Sequence, residues 1–423
     1  MRVVLINPGK SPIFAVHEPL NLGFLAAFLE KNGIEVRIID ELAGQNVEEE
    51  LEKFLPDIAG ITATTVLAPD AYRVASICKK KGIMTVMGGV HASIFPEEAL
   101  KYVDIVVKGE GEIALLDIVR NKVKTGIVSA PYIKNIDDIP PPSRHLLQME
   151  FYLRSKDRVP YIIYFAFVPP RTRIATLLTS RGCPYQCIFC HNTWRGTPCR
   201  FNSAERVIAE IEYLKEKYRV GAIYFVEDNF FLNKNRAHKI CEQMIQKKFN
   251  LLWGASTRVD NIDIETLHLA KAAGCRLINF GFESGSQKML DLMKKGITVE
   301  QSKRAIEMCN EAGIMANGSF MIGNPNETLE DIEQTRKFIK ENKITLPGIY
   351  ITTPYPGTDL WKMAKERSLI PEDIDWSEFA QERVTINLSE ISKEKIEKLR
   401  AQMYLEYFIA HPQEAIRLLR LSL

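Results

Sequence analysis

Two runs of this chain alternate β-rich segments with amphipathic helical ones, and that alternation leaves few folds open. From residue 1 to about 120 the order is "RVVLIN", "NLGFLAAFLEKNG", "EVRIID", "DIAGITAT", "DAYRVASICKKKG", "MTVMGG" and "DIVVKGEGE". Strands and helices alternating at this spacing pair as a parallel sheet covered on both faces. Such a sheet takes ligands at the carboxyl ends of its strands. Those ends read "NPGK", "TATT", "GGVHAS" and "KGEGE", and they make Thr64, Thr65, Gly88, Gly89, His91, Gly109, Glu110 and Gly111 the candidate ligand contacts. Glycine there lets a ligand approach the backbone closely. A second series begins near 174 with "IATLLTS", "AIYFVED", "LLWGAST", "LINFGFE", "NGSFMIG" and "GIYITTPYPG", with helical patterns at 203–218, 264–273, 299–312 and 328–342. Six such units make a partial (β/α)6 barrel rather than a full eightfold one. The expected fold is α/β throughout. A doubly wound, Rossmann-like domain covers 1–125, and a proline-bearing linker and bridging segment covers 126–173. A partial TIM-type barrel follows over 174–370, then a small helical segment over 371–423.

Composition narrows the function. The chain has 423 residues, 46% of them hydrophobic, and a net charge of only +2 with both signs mixed. No basic stripe marks a nucleic-acid partner. "MRVVLINPGK" runs straight into a strand and lacks the apolar stretch of a signal peptide. The longest apolar stretch, at 161–170, is too short to span a bilayer and ends in prolines. The expectation is a cytoplasmic protein with no transmembrane segment. There its cysteines stay reduced, so clustered ones point to metal or redox chemistry.

Three of the eight cysteines are clustered. "RGCPYQCIFCHN" places Cys183, Cys187 and Cys190 in a C-x3-C-x2-C loop just after a strand. A closed zinc site takes four ligands, usually in two pairs, and this triplet has no second pair. A loop of three thiolates can wrap three corners of a cubane iron–sulfur cluster and leave one iron open to a substrate, with zinc the other metal such a loop could take. His191 and Cys199 are the nearby alternatives for a fourth ligand. Core cysteines at chance spacing are the bland alternative. Cys78, Cys241, Cys275 and Cys309 have no partner spacing and read as core.

The loop "TSRGCPYQCIFC" resembles the signature of the radical SAM superfamily. The resemblance covers 174–370 and implies a 4Fe–4S cluster whose open iron chelates S-adenosylmethionine and cleaves it to a 5′-deoxyadenosyl radical. It implies that Phe189 packs near the adenine. "YFVEDNFF" resembles the strand facing the methionyl group, with Glu227 and Asp228 at its end. "STRVDNID" resembles the next, with Arg258 pointing inward. "GFESGS" resembles the ribose-contacting strand, with Glu283 and Ser284. "GSFMIGNPNET" resembles the adenine-side strand, with Gly323. Two of these have a structural alternative: Glu283 as a turn carboxylate and Arg258 as an ion-pair residue.

The front domain resembles the cobalamin-binding domain that precedes many radical SAM domains. The Asp-x-His-x-x-Gly pattern that supplies a histidine to cobalt is absent: Ala15 stands two residues before His17 and Leu20 three after it. The resemblance implies cobalamin held without that histidine, with His91 a loop or nucleotide contact. Residues 1–77 have no cysteine, unlike the methylthiotransferase branch. A radical generator beside cobalamin implies methylation of an unactivated carbon. The alternatives are oxidative cyclisation or rearrangement and, outside enzymes, a cobalamin or redox sensor. The implied partners are an external electron donor such as ferredoxin or flavodoxin, and a small-molecule, lipid or peptide substrate. The aromatic segment 151–173 is either a cover for that substrate or a packing strand.

Overall fold

The computed structural model describes residues 1–10, 17–120, 122–154, 165–191, 197–379 and 381–422, with side chains up to 417. The expected cover segment therefore lies partly outside the described residues, between 155 and 164. The chain divides into two compact units. The first comprises Met1–Tyr152 and Asp373–Phe379, and the second Leu153–Glu372 and Ala380–Leu423.

The first unit is built on β1 (Arg2–Asn7), β2 (Glu35–Asp40), β3 (Ile58–Thr62), β4 (Met84–Gly88), β5 (Ile105–Lys108) and β6 (Gly126–Ser129). They lie in the order β2-β1-β3-β4-β5-β6, each pair parallel. The order reverses at β1, which is the switch point of a doubly wound sheet. On one face Val4, Ile6, Ala59 and Ile61 pack under Leu51 and Phe54 of the helix Val47–Phe54 and Val74 and Cys78 of the helix Ala68–Lys80. The sheet continues past residue 125, where a linker was expected. β6 pairs with β5 from Ile105↔Gly126 to Lys108↔Ser129. Its half-exposed "GIVS" is an edge strand with too weak a pattern to stand out from the prolines that follow.

In the second unit all six expected strands form. After β7 (Ile174–Leu177) come the short antiparallel pair β8 (Ser180–Arg181) and β9 (Arg200–Phe201), then β10 (Ala222–Phe225), β11 (Leu252–Thr257), β12 (Cys275–Glu283), β13 (Met315–Ile322) and β14 (Pro347–Ile351). The main sheet runs β14-β13-β12-β11-β10-β7, parallel throughout. Capping boxes at Thr298 and Thr328 start two of the intervening helices. Phe282 and Phe320 pack outward, their rings tilted against Phe338 of the helix Leu329–Glu341. The residues between them on each strand therefore face inward. Phe165, Phe167, Tyr224, Leu277 and Leu346 close the bottom of that inner side. Two helices, Lys393–Ala410 and Pro412–Ser422, make the tail.

Candidate active site

The cysteine loop leaves β8 through Gly182, whose φ of +94° is open only to glycine without strain. Ile188, buried in the middle of the loop, anchors it. Its N–H donates to the Met293 carbonyl at 3.1 Å, and its carbonyl accepts from the Leu360 N–H at 3.2 Å. The Cys190 N–H closes a turn onto the Cys187 carbonyl at 3.2 Å. Cys187 is buried, Cys183 half-buried and Cys190 exposed. Desolvation pushes the thiols of Cys183 and Cys187 up, and the neighbouring Cys187 adds to the rise at Cys183. Nearby Asp228 raises Cys183 further. Thiols held this way release their protons to a metal, whose charge offsets their repulsion. Among the described residues no three His, Cys, Asp or Glu side chains close around a single ion. A cubane does not ask for that, because its own core keeps its thiolates apart. The donor chemistry fits a cluster held by Cys183, Cys187 and Cys190.

Around the loop the structure sorts the expected contacts. Phe189 lies with its ring 5.8 Å from Lys295 Nζ. Glu283 ends β12 with a φ of +65°, a strained position of the kind kept at functional sites. Its Oε1 accepts from Lys295 Nζ at 2.7 Å, and both side chains are buried. Gly281 leaves room for this pair: a Cβ there would stand 2.4 Å from Glu283 Oε1 and 2.7 Å from Lys295 Nζ and would displace their ends. Lys295 is the residue the sequence reading missed. It is one of two adjacent lysines in "MKKGI", and nothing local separates the buried one from its neighbour.

Arg258 makes the ion pair that was its structural alternative. Its Nε and Nη2 donate to the two carboxylate oxygens of Asp260, both at 2.9 Å, and its Nη1 donates to the Lys295 carbonyl at 2.7 Å. Its guanidinium lies 3.6 Å from the Tyr185 ring centroid. It thus ties the cysteine loop to the segment carrying Lys295. Glu227 is also turned to structure. It accepts from the Thr179 N–H and hydroxyl, each at 2.8 Å, and lies 3.6 Å from Arg236 Nη1. That clamp joins the ends of β7 and β10 and leaves the exposed Asp228 as the carboxylate toward the thiols. Ser284 is fully buried, bonded to Thr335 Oγ1 at 2.9 Å and accepting from the Ser286 N–H at 3.1 Å. A ribose contact by its hydroxyl does not fit that position. Gly323, at φ +84°, donates its N–H to Glu327. Cys199 is half-buried and stands on a pocket with Pro184, Phe201 and Asn233.

In the first unit Thr64 and Gly109 are exposed and Gly88, Gly89 and Gly111 half-buried at the carboxyl rim. Gly109, at φ +82°, has nothing within 4 Å of where a Cβ would stand, leaving backbone open to a ligand. Gly89 is glycine for another reason, since a Cβ would meet the Ala63 carbonyl at 2.6 Å. Thr65 is buried, and Glu110 turns inward to accept from the Ile133 N–H at 3.2 Å. His91 does not reach the rim. It is fully buried, with Nε2 2.9 Å from the Tyr72 hydroxyl and its ring between Phe95 and Trp376. The open glycine and hydroxyl rim fits a large amide-bearing cofactor, whereas the His91 side chain is taken up by the interior of the unit.

Comparison with known proteins decides the family. Residues 177–339 match the radical SAM superfamily, and residues 11–119 match the B12 binding domain. An uncharacterized methyltransferase of Pyrococcus horikoshii is 34% identical over 97% of this chain and 93% of that one. This chain belongs to the cobalamin-binding radical SAM enzymes. It is also 30% identical, over 86% of its length and 70% of the relative, to the anaerobic magnesium-protoporphyrin IX monomethyl ester cyclase of Rubrivivax gelatinosus. The cobalamin-dependent S-adenosylmethionine radical enzyme OxsB, solved with aqua-cobalamin and S-adenosylmethionine, has a TM-score of 0.76. It covers 99% of this chain and 70% of its own at 18% identity, a likeness of fold. The enzyme's cofactors are a 4Fe–4S cluster, S-adenosylmethionine and cobalamin. No helix among the described residues is long and apolar enough to cross a membrane.

Proposed function

We propose that this enzyme methylates an unactivated carbon of a small molecule, working in the cytoplasm with electrons from a ferredoxin or flavodoxin. The observation that carries it is one chain with a three-cysteine loop at the head of a partial barrel and an open-rimmed B12-binding unit. The similarity to a methyltransferase across nearly the whole of both chains supports methylation. When bound, the cluster and S-adenosylmethionine supply a radical that removes a hydrogen atom, and cobalamin supplies the methyl carrier.

The chain's own residues hold and orient. Cys183, Cys187 and Cys190 would hold the cluster, and Ile188 fixes their loop to two carbonyl and amide partners. Lys295 and Glu283 sit beside Cys187 as a buried cation and anion suited to the carboxylate and ammonium or hydroxyl groups of S-adenosylmethionine. Arg258 and Tyr185 brace the loop, and the Glu227 clamp keeps the strand ends in place. Pre-set positioning of this kind is the protein's main lever in radical chemistry.

The balance is definite. A substrate C–H becomes C–CH3, one S-adenosylmethionine leaves as 5′-deoxyadenosine and methionine, and a second leaves as S-adenosylhomocysteine. Two electrons are consumed. The test is anaerobic turnover of a metabolite extract with trideuteromethyl-labelled S-adenosylmethionine. A trideuteromethylated product with both nucleosides in equal amounts is expected. The cyclase relative carries the second reading. Its signature is 5′-deoxyadenosine with no S-adenosylhomocysteine at turnover levels, and that result would replace methylation.

A further inference from the structure

Inside the second unit, one level of the sheet carries polar side chains where a barrel core is ordinarily apolar. Asn279 on β12 is register partner to Asn317 on β13 and to Ser256 on β11. The Ser256 hydroxyl lies 2.8 Å from the Tyr224 hydroxyl on β10. All four lie on the inner side, because Phe280, Phe282 and Phe320 face outward. Directly below them on the same strands, Leu277 belongs to the apolar floor and Met315 packs against it. Above them the inner side opens, since Gly281, Ser319 and Met321 are half-buried while Phe280, Phe282 and Phe320 on the outward side are buried.

Asn279 is only 6% exposed, yet its buried Oδ1 has no hydrogen-bond partner. An unsatisfied buried amide oxygen costs about 1–3 kcal/mol, and apolar residues would fill this level without that cost. The level also carries no charge. The ionised groups of the site lie beyond it: Glu283 ends β12, Arg258 follows the end of β11, and Lys295 follows the helix after β12. An ionised group at this depth would be desolvated with no counter-charge, which is prohibitive.

We infer that this carboxamide level is the substrate's recognition floor, and that the part of the substrate entering the barrel carries an uncharged hydrogen-bond donor on an apolar body. The fitting classes are an alcohol, a primary amide or a ring N–H. Asn279 Oδ1 accepts from that donor, and Phe165, Phe167 and Leu277 take the apolar part. This rests on the radical SAM reading of the barrel.

The test uses four matched probes, toluene, benzyl alcohol, benzamide and benzoate, titrated by saturation-transfer NMR against the anaerobically reconstituted full chain. Benzyl alcohol and benzamide should bind more tightly than toluene, and benzoate least. Asn279→Val and Asn279→Thr share a shape that suits a strand and differ by one hydroxyl. The Val variant should weaken the alcohol and amide roughly two- to tenfold and spare toluene, and the Thr variant should restore most of that. Equal behaviour of the two variants, or benzoate binding as well as benzamide, overturns the inference. So does a wild-type protein that binds none of the probes. Dithionite-driven formation of 5′-deoxyadenosine by the wild-type enzyme is measured alongside. Its absence sinks the radical SAM reading and this inference with it, whereas its presence with indifferent probes sinks this inference alone.

Discussion

Glu327 shows how much a single buried group can set. Burial, with a smaller push from neighbouring Asp331, takes its carboxyl up to about 7, against the N–H bonds it accepts from Gly323 and Asn324. Between its ordinary value of 4.5 and about 7 the folded chain holds a proton that the unfolded chain has released. Stability from this group is therefore highest at the acid end and falls as pH rises through that window, by on the order of 3 kcal/mol. Glu327→Gln should flatten that part of the pH–stability curve. Urea unfolding of both proteins at pH 5.5 and 8 measures it, and parallel curves would count against the shift. At the cluster loop, replacing Cys183, Cys187 and Cys190 together by alanine should remove iron–sulfur absorption and S-adenosylmethionine cleavage; a full iron complement in that variant would sink the assignment. His91 is enclosed by Tyr72, Phe95 and Trp376, and a buried ring of this kind is expected to leave cobalt alone. The paramagnetic spectrum of bound cob(II)alamin should be the same in wild type and in His91→Gln.

Elements were more legible than partners. Each strand of the barrel announced itself as a short apolar run ended by glycine or polar residues, because a strand buried on both faces needs that composition. What a strand-end residue touches is not local information. Glu227 bonds Thr179, 48 residues away, and Arg236 on a later helix; "VED" reads the same whether its carboxylate faces a ligand or a clamp. Asn279 did leave a signal, a polar residue at an inward position of "LINFGFE", but a polar inward residue gains meaning only once the neighbouring strands are in register. The edge of the barrel sheet illustrates the same limit. In β14 the Ile349 N–H donates to the Tyr404 hydroxyl at 2.8 Å and its carbonyl accepts from Arg400 Nε at 2.7 Å. The tail helix thus satisfies an edge that would otherwise invite another strand. Arg400→Ala with Tyr404→Phe should lower stability by about 2 kcal/mol and promote concentration-dependent association, read by urea melts and light scattering. Unchanged melts would show that the edge does not need the tail.

For the molecule as a whole, the chain's path matters as much as either sheet. It leaves the first unit after Tyr152, returns to it for Asp373–Phe379, and leaves again. The return is made by a short acidic segment with no periodicity, so sequence could place it only as tail. Its anchor is Trp376, whose ring lies 5.2 Å from His91, 5.0 Å from Phe95 and 5.4 Å from Phe379 between centroids. Its indole N–H donates to Glu98 Oε1 at 3.1 Å, and Glu98 also accepts from the Tyr72 hydroxyl at 2.9 Å. The first unit is therefore incomplete without seven residues encoded more than 200 positions later. Trp376→Ala removes a buried ring and leaves Glu98 short of a donor, a loss of about 3–5 kcal/mol if the segment stays docked and less if it lets go. Trp376→Phe keeps most of the packing and loses only the hydrogen bond, about 1 kcal/mol. Hydrogen exchange read by mass spectrometry separates these effects by place. Amides of Val90–Ala99 and of β4 should exchange faster in the order wild type, Phe, Ala, while those of β12 and β13 stay as they are. If protection in Val90–Ala99 is the same in all three proteins, the segment is a passenger on the first unit and not part of its core.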